Sequence, residues 1–306
     1  MRPRDTNIMT GQSDAQFIGP VTLLLLFLLA GLTAWAEPAW AEPASAEPAA
    51  VATNLSLLER GFSGLYNLDF AGAQKDFSSW EEQHPDDPVG PVSQAAGYLF
   101  SEFNRLGVLE SQFYQDDNAF ASRSKQTPDS AVKALFESSL DRAEKLANAR
   151  LTKDPNDHDA LFSMTLSNGL QADYAALIEK RNLNSLHYTK EASAWAQKLL
   201  SICKDCSDVL VATGFSKYII GSMSAPVRWM LRMGGLPGDK QAGISDLQLT
   251  ANHGHYLAPF ARILLSIAYV REKNKAEALQ LLTTLRTDFP GNPLFQREIS
   301  RLETSH

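Results

Sequence analysis

Apolar residues recur with a helical period through most of the chain after residue 55. One face of a first predicted helix collects Leu58, Phe62 and Leu65, and Pro85 ends the segment that follows. The pattern is clearest over residues 258–295. There, Pro259 opens a helix, a second helix spans residues 276–289, and the run Pro-Gly-Asn-Pro at 290–293 stops it. No strand-like alternation of useful length occurs, so the spacing predicts an all-α fold.

The apolar helices group into hairpins. We expect about five pairs, at residues 55–84, 90–150, 157–203, 207–253 and 257–289, and a capping helix at 294–302. Residues 115–129 and 225–239 are interpreted as loop insertions between paired helices. A single hairpin cannot bury its apolar face alone, so neighbouring hairpins must stack on one another.

Small and aromatic residues recur at fixed offsets within these hairpins. The sites are Tyr269, Ala278, Leu282 and Pro290, with Ala73, Phe77 and Pro85 repeating the spacing, and Ala143 and Pro155 repeating part of it. This pattern resembles the tetratricopeptide (TPR) repeat. Over roughly residues 55–300 the chain is also similar to a poorly characterised group of exported bacterial TPR-like proteins. The segments that carry this similarity are residues 157–162, 174–181, 218–222, 234–240 and 292–295. The resemblance implies a right-handed superhelical stack of hairpins over residues 55–303, and it transfers no catalytic residue.

The N-terminal residues have a different character. Arg2 and Arg4 precede an apolar run at residues 21–32, and small residues suited to cleavage follow it, so we interpret residues 1–36 as a signal peptide. Residues 37–54 repeat Ala-Glu-Pro and are expected to form an extended linker, because recurring proline forbids a continuous helix. The protein is therefore expected to be exported, periplasmic or secreted. The alternative is a membrane anchor formed by residues 21–36 if they are not cleaved.

The formal net charge is −7, and 44% of the residues are hydrophobic. This balance argues against a general nucleic-acid binder, which usually carries a basic stripe. It also gives no electrostatic reason to adhere to an anionic membrane surface. We therefore expect membrane contact only if the N-terminal apolar segment stays attached.

Cys203 and Cys206 are the only cysteines, and their C-x-x-C spacing occurs in thiol oxidoreductases. They lie where a helix is predicted to end, and the partial negative charge of a helix C-terminus disfavours a thiolate. A local disulfide or a pair of inert thiols is the leading interpretation. A metal or partner contact and a redox role remain alternatives. No other motif predicts a catalytic residue, a metal site or a cofactor.

The segment at residues 218–236 is rich in Met, Trp and Arg, a composition that is typical of recognition surfaces. Tyr218, Arg228, Trp229 and Arg232 are the candidate partner surface, although the same composition also fits the core of an irregular repeat. Together these features predict a non-enzymatic scaffold or adaptor of the cell envelope that binds a protein or peptide in a helical-repeat groove. The alternative is an envelope thiol-redox or cofactor-linked protein that uses Cys203 and Cys206.

Overall fold

The computed structural model describes residues 55–109 and 125–304. This part of the chain contains twelve α-helices, one 3-10 turn and no strand, which confirms the all-α prediction. In chain order the helices are α1 (Leu57–Tyr66), α2 (Phe70–Gln83), α3 (Val89–Arg105), α4 (Ser130–Lys153), α5 (His158–Leu177), α6 (Asn182–Ile202), α7 (Leu210–Ser222), α8 (Ala225–Met233), α9 (Lys240–His253), α10 (Ala258–Arg271), α11 (Lys275–Asp288) and α12 (Pro293–Thr304); the 3-10 turn is Ser207–Val209. The predicted signal peptide and linker, and residues 115–124 of one predicted insertion, lie outside the described residues.

The helices pack as antiparallel partners in chain order. The pairs are α1 with α2, α3 with α4, α5 with α6, α7 with α9, and α10 with α11, and α12 packs on α11. Consecutive pairs also touch, through α2 and α3, α4 and α5, α6 and α7, and α9 and α10. The prediction that residues 225–239 form a loop is wrong in part, because residues 225–233 form α8. Pro226 in the first turn suits a helix start, and Gly234 follows its end.

Side-chain caps explain where several helices begin. Ser56 and Glu59 form a capping box at α1, in which each side chain accepts a hydrogen bond from the other residue's backbone amide. Three other helices, α4, α5 and α9, begin after an aspartate whose carboxylate accepts hydrogen bonds from backbone amides of the first turn. These residues are Asp129, Asp157 and Asp239. Short polar side chains therefore determine where these helices begin, and the apolar faces determine how the helices pack.

Two glycines allow α7 and α9 to approach closely. A Cβ atom on Gly243 would lie 2.5 Å from the Gly214 carbonyl oxygen and 2.5 Å from the Tyr218 backbone nitrogen. Those neighbours are backbone atoms, which cannot move aside as a flexible side chain can. This crossing therefore depends on the absence of a side chain at residue 243.

The first hairpin also contacts the last one. The Tyr66 hydroxyl donates to the Tyr256 carbonyl oxygen at 2.9 Å, and the Asn292 amide nitrogen Nδ2 donates to the Tyr66 carbonyl oxygen at 2.8 Å. The ring of Phe62 stacks on that of Tyr256 with centroids 4.9 Å apart. The described helices consequently form a closed arrangement around an interior, in which residues far apart in sequence share one core.

No helix within residues 55–109 and 125–304 has the length and apolar character needed to cross a membrane.

Candidate functional site

An apolar cavity of about 140 Å³ lies in the interior enclosed by the hairpins. The first helix of each pair, α1, α3, α5, α7 and α10, contributes to its wall, together with α6 and α12. Most of the wall consists of buried apolar side chains. Typical members are Phe62, Leu65, Phe162, Leu170, Ile219 and Phe295.

Helix α5 presents one continuous face to this cavity. Phe162, Leu166, Gly169 and Asp173 all line it, and their spacing of three to four residues places them on one side of the helix. A Cβ atom added to Gly169 would meet no heavy atom within 4 Å. Glycine in a helix interior is about 1 kcal/mol less favourable than alanine. No packing contact therefore requires a glycine at residue 169, and its effect is to leave the cavity open.

Asp173 lies one helical turn after Gly169 on the same face, and its side chain is only 4% exposed. Among the residues that the structure describes, no hydrogen bond or ion pair reaches its carboxyl group. Burial in apolar surroundings raises the pKa of the Asp173 carboxyl well above its usual value. A buried polar group without a hydrogen bond costs about 1–3 kcal/mol, so a hydrogen-bonding partner inside the cavity would be favourable for Asp173.

The other polar groups of the wall differ in how they are used. The Ser185 hydroxyl oxygen is buried without a hydrogen-bond partner in the described part of the chain. The Asp208 carboxylate, in contrast, accepts backbone hydrogen bonds from Tyr256 at 3.1 Å and from Leu257 at 2.9 Å, just before α10 begins. Among the described residues that line the cavity there is no lysine, arginine or histidine. The wall therefore offers two carboxyl groups and a buried hydroxyl group without a partner, and its described residues include no basic side chain.

Cys203 and Cys206 form a disulfide directly after α6, with their Cα atoms 5.5 Å apart. The structure brings His158, the first residue of α5, to this pair, so that one potential ligand atom from each of the three residues lies within 4.8 Å of the others. The sequence offered no further ligand adjacent to the cysteines, and His158 is 45 residues before Cys203. A thiolate is the form of cysteine that binds a metal, so the disulfide form does not provide such a site.

The candidate partner surface is divided by the fold, and the assignment of Tyr218 to it is wrong. Tyr218 is fully buried on α7, and its hydroxyl donates to the Glu272 carboxylate oxygen at 2.9 Å. A large aromatic side chain with a satisfied polar end is well suited to such a core position. Arg228 is half-buried and donates to the Gly221 carbonyl oxygen at 3.1 Å, so it helps to hold α8 against the end of α7.

The remaining candidates lie on α8 and face outward. Trp229 is 67% exposed and Met233 is 72% exposed, with Met230 and Arg232 exposed beside them. We refer to Trp229, Met230, Arg232 and Met233 as the α8 patch. Leu231, on the opposite face, is buried and packs with Ile220 and Leu236. The helix is therefore attached to the core by one side and leaves large apolar side chains on the other.

Sequence reasoning missed Gly169 and Asp173. Both lie within the predicted third hairpin, at residues where the apolar face of α5 is interrupted by a residue without a side chain and then by a carboxyl group. That interruption was the available signal, but an aspartate in a helix is usually solvated. No protein-family model matches the chain, and a search of curated proteins finds no match to it either.

Proposed function

We propose that this protein is a non-enzymatic binding protein of the cell envelope, exported by its N-terminal segment, whose inner cavity holds a small apolar molecule. In this proposal the hairpins are TPR-like units in a right-handed superhelical stack, with the first helix of each unit facing inward. The observation that carries the proposal is the apolar cavity beside Gly169, where a helix interior carries no side chain although nothing nearby prevents one.

The size of the cavity favours a small molecule over an extended peptide. A water molecule needs about 10–15 Å³ of the kind of volume measured here, so the cavity has room for roughly ten waters, or a ligand of roughly ten non-hydrogen atoms. Apolar cavities of similar volume stay dry and bind small apolar molecules. A peptide in the predicted groove would need an inner face open along its length, whereas most residues of this wall are buried.

The test uses octanol as the ligand and measures the melting temperature and the heat of binding. We expect octanol to raise the melting temperature of the parent protein, because a ligand that binds only the folded state stabilises it. Gly169→Leu should fill the space and abolish this response. Ala149→Leu is the matched control, because Ala149 is an exposed residue on α4. Equal octanol binding by both variants would contradict the proposal.

A second candidate function is the protein-interaction scaffold, and the α8 patch favours it. Tryptophan and arginine are enriched among the residues that dominate protein–protein binding energies, and methionine adapts to irregular surfaces. An interaction through this patch would leave the inner cavity free, so the two functions are compatible. Here the partner would contact the outer surface of the stack.

The scaffold function is tested by partner capture from the organism's envelope fraction. We expect Trp229→Ala with Met233→Ala to reduce capture of a specific partner at least about tenfold, as for the loss of an interface hot spot, without changing the melting temperature. Leu249→Ala is the control, since Leu249 is an exposed apolar residue on α9. Capture that is lost equally in the control would show that the α8 patch is not a specific surface.

A further inference from the structure

The unpaired carboxyl group of Asp173 defines what the cavity can bind. It is 4% exposed, lines the cavity, and has no hydrogen-bond or ion-pair partner within the described residues. Its side chain lies one helical turn after the open space at Gly169. A ligand that fills this space therefore comes within reach of the carboxyl group without displacing any side chain.

The charge of the wall selects the sign of the ligand. Asp208 adds a second carboxyl group, and its hydrogen bonds to the backbone amides of Tyr256 and Leu257 hold it in place. No basic side chain occurs among the described residues of the wall. An anionic head group would find no basic side chain to pair with in this wall, whereas a cation can form an ion pair with Asp173 once that carboxyl group has lost its proton.

The hydrogen-bonding capacity of the wall points the same way. The Tyr66 and Thr189 hydroxyl groups already donate, to the carbonyl oxygens of Tyr256 and Ser185. The Ser185 hydroxyl oxygen is buried without a hydrogen-bond partner in the described part of the chain. Within the same residues no hydrogen bond or opposite charge acts on the Asp173 carboxyl, and burial alone perturbs its pKa. An ammonium group has three donors and no acceptor, so it matches a set of unused acceptors.

We propose that the inner cavity binds a small monocationic amine with an apolar tail, and that Asp173 is the residue that pairs with its ammonium group. This inference rests on the proposed function and narrows its ligand class. The apolar wall takes the tail, and the cavity volume of about 140 Å³ suits a tail of a few to about ten carbon atoms.

Binding of the charged amine changes the protonation of Asp173. Burial raises the pKa of its carboxyl well above the usual value, and a neighbouring ammonium group lowers that pKa again, because the two opposite charges attract. The amine arrives protonated, as a lysine side chain is at neutral pH. Any proton that the carboxyl holds before binding is released to the solvent when the ion pair forms.

The experiment compares three probes with the same eight-carbon tail: octylamine, octanol and octanoate. Isothermal titration at neutral pH is performed on the parent and on Asp173→Asn, which preserves the size of the side chain. We expect octylamine to bind the parent at least about tenfold more tightly than octanol, as expected for a hydrogen bond to a charged group. In Asp173→Asn this preference should disappear. Repeating the octylamine titration in buffers of different ionisation enthalpy should show proton release by the parent and none by Asp173→Asn.

The possible results separate this inference from the proposed function. Equal binding of octylamine and octanol by the parent, tighter binding of octanoate, or an unchanged octylamine preference in Asp173→Asn would overturn the role of Asp173 while leaving the cavity as a binding site. Failure of all three probes, or binding that persists in Gly169→Leu, would instead remove the proposed function itself. If Asp173→Asn does not fold, as checked by circular dichroism, the order of affinity of the three probes for the parent decides the question.

Discussion

The cavity beside Gly169 leads to a sharp prediction about a single methyl group. Gly169→Ala should stabilise the protein, whereas Gly243→Ala, the same chemical change in another helix, should destabilise it. Both residues lie within α-helices, so helix propensity favours alanine at each site, by up to about 1 kcal/mol. The two sites differ in the space available for the new atom.

The magnitudes follow from that space. At residue 169 the new Cβ atom meets no heavy atom within 4 Å, so nothing opposes the propensity gain, and the free energy of unfolding should rise by about 1 kcal/mol. At residue 243 the new atom would lie 2.5 Å from two backbone atoms of α7. Overpacking of this kind costs about 1–3 kcal/mol, and the rigidity of a backbone neighbour places this site at the upper end, so we expect a net loss of about 1–2 kcal/mol.

The assay is urea denaturation of both variants and the parent under identical conditions. For a domain of this size, a change of 1 kcal/mol should also move the melting temperature by about 2–4 °C, in opposite directions for the two variants. A lower free energy of unfolding for Gly169→Ala would mean that the space beside α5 is filled, and the argument for a ligand cavity would fail. Equal destabilisation by both variants would lead to the same conclusion.

Three further predictions test other parts of the structure. The stability of Asp173→Asn relative to the parent should increase as the pH rises above about 4, where an unfolded aspartate ionises. The raised pKa of Asp173 makes the folded parent hold a proton that its unfolded chain loses. Rising pH therefore destabilises the parent until the folded-state pKa is reached, whereas Asp173→Asn has no such group. A flat difference between pH 4 and pH 8 would contradict this. Replacing Cys203 and Cys206 by serine should lower the free energy of unfolding by no more than about 2 kcal/mol, because the disulfide closes a very short loop. Disulfide-reductase activity that is present in the parent and absent from this variant would support the redox alternative. Asn292→Ala should lower the free energy of unfolding, measured by urea denaturation, by about 1–3 kcal/mol. The Tyr66 carbonyl and the Leu294 amide would each lose a hydrogen bond to the Asn292 side chain. An unchanged free energy of unfolding would argue against contact between the first and last hairpins.

The helical architecture could be predicted because it depends on local patterns. The repeat spacing predicts small residues between packed helices at Ala73, Ala143 and Ala278. All three are completely buried. Proline and short polar residues marked many of the helix boundaries. These signals operate within a few residues of each other, where the period of the helix fixes which side chains share a face.

The site was harder to predict because it depends on distant segments. Asp173 lies in the wall of a cavity whose other sides come partly from α1, α7 and α10, which belong to other hairpins, and no local pattern encodes that convergence. Tyr218 was misassigned because α7 is apolar on most of its surface, so periodicity does not show which side chains reach solvent. The pattern predicts a loop at α8 because this helix is only nine residues long and is bordered by proline and glycine, which usually mark turns.

The contacts that join the first hairpin to the last have a consequence for folding kinetics. Linear repeat arrays can nucleate anywhere and lose repeats one at a time, because each repeat touches only its neighbours. Here the bond from Tyr66 to Tyr256 spans 190 residues and that from Asn292 to Tyr66 spans 226. Such distant contacts must be made late and at a high cost in chain entropy, which slows folding. Disruption of the segment around Asn292 should therefore loosen the end of α1 as well, so that the two ends of the chain unfold in one transition.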